Sequence, residues 1–164
     1  MAIEEPRYEV TTRTEPYEIR RYAPMLIAQT WVEGDMDDAG SQGFRAIADY
    51  IFGNNRLPNG PSAKIAMTAP VEMKGDQETL TMRFFMPSHL TADTVPRPKD
   101  PAIKLITLPE QHVAVRRYSG RADQDMIRSQ QEQLRSALAG TEWKLSGDFR
   151  SYFYNPPWTL PFLR

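Results

Sequence analysis

The 164-residue chain has no cysteine. That absence excludes disulfides, thiolate nucleophiles, cysteine-ligated metals and thioether-linked cofactors in one step. Histidine is nearly absent too, with only His89 and His112, and neither stands in an H-E-x-x-H or similar ligand pattern. Charge of one sign is not in excess: 20 Lys+Arg face 21 Asp+Glu, and the basic residues are scattered, so no nucleic-acid partner is expected. No apolar run is long enough for a membrane span, and no short apolar run follows a basic start. The expectation is a soluble single domain over 1–164, taken as a monomer, with protein partners unknown. Met1 ahead of AIEEPRYEV reads as an initiator on a trimmed sequence. Cytoplasm, and periplasm or secretion after loss of an export signal, therefore both stay open.

What is present is best ordered around Lys64–Met73, KIAMTAPVEM. Its period-2 pattern predicts a strand with Ile65, Met67, Ala69, Val71 and Met73 on one face. The second face is unusually small, Ala66, Thr68 and Pro70, so something approaches it closely. That is either a packed helix or, functionally, a ligand for which the strand is the groove floor. Pro70 lacks a donor, which places the strand at an edge or a bulge.

In chain order, alternation predicts strands over 8–13, 17–22 and 25–32. Asp37, Asp38 and Ser41 offer caps for a helix over 39–53, whose Phe44, Ile47, Ala48, Ile51 and Phe52 share one apolar face. Gly53-Asn54 stops it. A strand with Leu80, Met82, Phe84 and Met86 pairs with the 64–73 strand. Residues 87–101 hold four prolines, which cannot continue a sheet and form an extended connector. Strands resume over 103–107 and 112–118, a second helix spans 123–139 under an Asp123 cap, and a last strand covers 149–154. The tail then reads NPPWTLPF. Tyr17–Gly34 and Ile103–Gly120 repeat one order of strand, turn, strand and glycine before a helix. The expected fold is α+β: two pseudo-repeated strand-strand-helix-strand units, about 8–86 and 103–164, with antiparallel hairpins in a distorted barrel or sheet flanked by two helices.

YEIRRY at 17–22, FRAIADYIFGNN at 44–55, KIAMTAPV at 64–71, the PRPKDPAIKL connector, AVRRYSG at 114–120 and YNPPWTLPF at 154–162 together resemble the SOUL/haem-binding-protein family across nearly the whole chain. KIAMTAPV and YNPPW are the specific signals. The resemblance implies the two-repeat fold and reversible, non-covalent binding of haem or another tetrapyrrole. It places the groove between the first helix, at Phe44, Ile47, Ala48 and Ile51, and the tail at Tyr154, Trp158 and Phe162, with Met67 alongside. Propionate-pairing positions of the family fall on Asp49 and Thr159, neither of them basic; Arg45, Arg56, Lys64 and Arg164 could reach propionates from a groove rim, Arg45 and Lys64 being the site candidates. The region of a family axial histidine reads Tyr22-Ala23-Pro24, so binding without histidine ligation and a carrier or buffer role are expected.

Two readings from other classes stand beside this one. An effector-binding-like domain or a hydrolase for small apolar molecules would need a carboxylate of raised pKa in the groove, for which Glu72 is the weak catalytic candidate. A protein-interaction module would use the aromatic tail as its docking surface. No metal site is expected.

Overall fold

A computed structural model of the chain describes residues 3–34, 36–75, 78–119, 123–147 and 149–154. Its larger sheet has the order β10–β5–β6–β3–β8, formed by β3 (Met25–Glu33), β5 (Val71–Gly75), β6 (Thr79–Phe85), β8 (Lys104–Leu108) and β10 (Ser151–Phe153). Helix α1 (Met36–Ile51) lies on one face of it. Alternation along the strands decides which residues meet the helix: Ala28, Leu80, Met82 and Phe84 are buried with Ile47, Tyr50 and Ile51, and Leu26, Val32, Val71, Met73 and Leu105 pack around them. The approach is close. A Cβ on Gly43 would stand 3.3 Å from the Met82 methyl and 3.6 Å from a Thr30 methyl, so a larger side chain there would wedge α1 off the sheet.

The smaller sheet has the order β1–β2–β9, from β1 (Tyr8–Arg13), β2 (Glu18–Tyr22) and β9 (Gln111–Val115). Helix α2 (Gln124–Leu138) covers it through Leu134 and Leu138 against Ile19, with Tyr17, Ala114, Trp143 and Phe149 alongside. Asp123 accepts the Met126 N–H at 2.8 Å and caps α2. Because Ile19 faces α2, the alternating Arg20 and Tyr22 face away from it, toward the side of the larger sheet that α1 does not cover. There the Tyr22 ring meets Tyr152 edge-on with centroids 6.4 Å apart, and Tyr152 meets Phe85 at 6.1 Å. The layers therefore run α1, larger sheet, smaller sheet, α2.

All named strand pairs are antiparallel, with one isolated parallel bridge between Glu4 and Thr68. The architecture is the expected α+β one, open rather than a closed barrel among the described residues. The β1–β2 and β5–β6 hairpins form as expected, but β3 does not turn back onto β2, nor β9 onto β8. β2 pairs with β9, and β3 with β8, because the corners at Ala23-Pro24 and Pro109-Glu110 send each following strand into the other sheet. This exchange interlocks the two halves of the chain.

Local differences have local causes. Only Val71–Gly75 of the expected 64–73 strand joins the ladder. The preceding segment instead spends its backbone groups on the end of α1, through Ile65 N–H to the Ile51 carbonyl at 2.7 Å, and on the N-terminal segment, through Ala69 N–H to Glu4 at 2.9 Å. Its small face is the buried one, at Thr68, Pro70 and Glu72, and the neighbour that approaches it is the protein itself. α1 begins at Met36, so Asp37 and Asp38 fall in its first turn rather than ahead of it. Phe52, expected on the buried helical face, is 62% exposed because the helix ends at Ile51. The proline connector does contribute to a sheet: Arg97–Pro98 (β7) pairs with Asn55–Arg56 (β4).

Candidate functional site

The edge formed by β5 and β10 has two chemically different sides. On the α1 side, Phe153 stands directly opposite Val71 and Ser151 opposite Met73, and Val71, Met73 and Phe44 pack against the same core cluster. The far flank of α1 is occupied, since the Tyr50 hydroxyl donates to the Pro96 carbonyl at 2.7 Å and Val95 and Ile103 are buried beside it. The near flank carries Phe44, Ala48 and Phe52, one turn apart along the helix. Phe44 and Ala48 are half-buried, Phe52 is exposed, and Met67, on the segment tied to the end of α1, is 39% exposed. The result is an apolar shelf bounded by α1, residues 65–67 and the β5–β10 edge.

The predicted residues divide across this shelf. Phe44, Ala48 and Met67 present surface, and Arg45 and Lys64 are exposed cations; Tyr154, immediately after β10, is half-buried on the Tyr152 side of the edge, away from Phe153, with the Arg117 guanidinium 5.8 Å from its ring. Ile47 and Ile51 lie underneath, in the core. Trp158 and Phe162 lie outside the described residues. Phe52, Val71, Met73 and Phe153 join the shelf as additions. Phe153 in particular is visible from the sequence only once the register against Val71 is known.

The other side of the same edge is polar. Glu72 is buried, and its Oε2 accepts from Arg150 at 3.1 Å and Arg83 at 3.3 Å. Arg83 also donates through Nε to Gln29 Oε1 at 2.8 Å. Burial raises the Glu72 pKa, opposed by Arg150, by Arg83 and by the hydrogen bond from Tyr152. Burial likewise pushes the Tyr152 hydroxyl far up and Tyr22 up to about 12, so both stay protonated donors. Across from them Arg20 is buried, donating to Glu18 at 2.6 Å and to the Tyr22 hydroxyl at 2.9 Å, with the Tyr8 ring 4.2 Å away. Burial disfavours its charge, but Tyr22 and Glu18 outweigh that and the guanidinium is held more firmly protonated than usual. The alternation in EIRRY and SYF placed these side chains on one face each. That the two faces meet is a matter of sheet order.

His89 is exposed beyond β6 and acts electrostatically on Glu4, which bridges Thr68 beside Met67. His112 pairs with Arg21 on the α2 side of the smaller sheet, its ring 5.5 Å from Trp143. Among the described residues no three His, Cys, Asp or Glu side chains group as a metal site, and no helix is long and apolar enough to cross a membrane.

The SOUL heme-binding protein family matches residues 3–164. The chain belongs to that family. No curated protein sequence matches it. Membership supports binding of haem or a related tetrapyrrole in general.

Proposed function

We propose that this SOUL-family protein binds haem or a related tetrapyrrole reversibly and non-covalently on the apolar shelf, with one macrocycle face on Phe44, Ala48 and Phe52 and the other edge against Met67 and Phe153. Arg45 and Lys64 serve the propionates from the rim, where cations keep their hydration and act as orienting partners. The observation that carries this reading is the exposed apolar flank of α1, which ends in a 62%-exposed phenylalanine in a chain of a heme-binding family. His112 lies on the α2 side of the smaller sheet and His89 is exposed in the connector, and in this reading the iron makes no histidine bond. A ligand held by apolar burial alone exchanges readily, which suits a carrier or buffer.

The test is Ala48→Trp. Ala48 is half-buried on the exposed flank, so an indole there occupies the shelf without entering the core. Haem affinity, read by absorbance titration, should fall at least about tenfold, or about 1.4 kcal/mol, with an unchanged melting temperature. Wild-type affinity in this variant would remove the shelf as the binding surface.

A further inference from the structure

The strand β10 is held far more specifically than its length accounts for. It has three residues and, among the described residues, lies at the edge of the larger sheet and pairs only with β5. A ladder that short opens easily. Yet its middle residue, Tyr152, sits directly opposite Glu72, and Glu72 is in turn opposite Arg83, which is opposite Gln29. One polar row thus crosses four adjacent strands. Arg150, in the chain entering β10, closes onto the same Glu72 oxygen at 3.1 Å. From the second sheet, Tyr22 meets the Tyr152 ring, and Arg117, just after β9, stands 5.8 Å from the Tyr154 ring.

Buried ion clusters of this kind contribute little net stability, because desolvation offsets the attraction. The raised Glu72 and lowered Arg83 pKa values, both driven first by burial, show that offset here. Apolar side chains in the row would hold the layers together at least as well. What they would not do is choose a register. Sliding β10 by one residue turns Tyr152 to the α1 side and Phe153 away from it, and leaves Glu72 without its hydroxyl donor.

We propose that Glu72 is a positioning residue: the Arg83–Glu72–Arg150 cluster with Tyr152 locks the register of β10 and so presents Phe153 to the ligand shelf on the opposite side of the sheet. The ligand part of this inference rests on the shelf reading above. The register part does not.

Two full-length variants test it, Glu72→Gln and the apolar triple Glu72→Leu/Arg83→Met/Arg150→Met. Hydrogen exchange of the 151–153 amides in ligand-free protein should accelerate by roughly tenfold or more relative to β3 and β6 amides in both. The triple variant should keep a melting temperature close to wild type, which separates positioning from simple support and keeps the test decisive if Glu72→Gln folds poorly. Metal-free protoporphyrin should bind both variants roughly tenfold more weakly. Unchanged β10 exchange in the triple variant overturns the register lock. Faster exchange with wild-type porphyrin affinity overturns its coupling to the shelf. If wild-type protein binds no porphyrin, the shelf reading has failed, and the exchange result alone decides whether Glu72 locks β10.

Discussion

Replacing both histidines, His89→Ala with His112→Ala, should leave tetrapyrrole binding intact. His89 is an exposed residue of the connector, and His112 faces α2, on the far side of the smaller sheet from the shelf. On the proposed reading neither side chain ligates a macrocycle lying on α1. The structural cost is limited to the ring contact with Trp143, 5.5 Å between centroids, worth about 0.5–1.5 kcal/mol. Binding energy comes from area instead: covering roughly 400 Å² of apolar macrocycle at about 25 cal/mol per Å² gives on the order of 10 kcal/mol gross. Ordering and propionate desolvation reduce this toward about −8 kcal/mol, a micromolar-scale constant. Metal-free protoporphyrin buries the same area, so it should bind about as tightly as haem. Absorbance and fluorescence titrations of both ligands against both proteins read these quantities directly. If the double variant loses its Soret shift and binds more than about tenfold more weakly, a histidine supplies at least about 1.4 kcal/mol and the coordination-free account is wrong.

Asn55→Ala should destabilise the fold by about 3 kcal/mol, measured by urea unfolding, because the fully buried amide donates to the Tyr50 and Ala63 carbonyls at 2.7 and 2.8 Å and accepts from Ala63 N–H at 3.0 Å; a loss under about 1 kcal/mol would show that water replaces it. Alkaline titration at 295 nm should show Tyr22 and Tyr50 ionising near 12, since burial raises both. The sign follows: the folded state holds these protons more tightly than the unfolded one, so their contribution is complete below the unfolded value near 10 and is lost as pH climbs through 12. Ionisation of all tyrosines together near 10, with the fold intact, would contradict that burial.

Much of the fold is legible because periodicity and punctuation agree. The Asp123 cap, the Gly53 and Gly140 stops and the alternation around Leu80–Phe84 each point to the element found. Sheet order is not legible, because alternation says which residues share a face but not which face meets which. Hence Arg20 and Tyr22 read as ordinary strand residues, although they pack across from Tyr152. The KIAMTAPVEM pattern misleads for a related reason. Period 2 is equally satisfied by an extended segment whose partners are a helix end and a distant N-terminal backbone, as Ile65 and Ala69 show. Of the site, the helix flank was visible as an apolar stripe, but its division into core (Ile47, Ile51) and surface (Phe44, Ala48, Phe52) depends on where the sheet sits under α1.

The most direct test of the account maps the ligand onto the chain. Backbone amide shifts of labelled protein, followed while metal-free protoporphyrin is added, should move first and furthest at Phe44, Ala48, Phe52, Met67 and Phe153, with His89, His112 and the α2 residues unmoved. Shifts centred instead on His112 and α2, or between the sheets at Tyr22 and Tyr152, would contradict it.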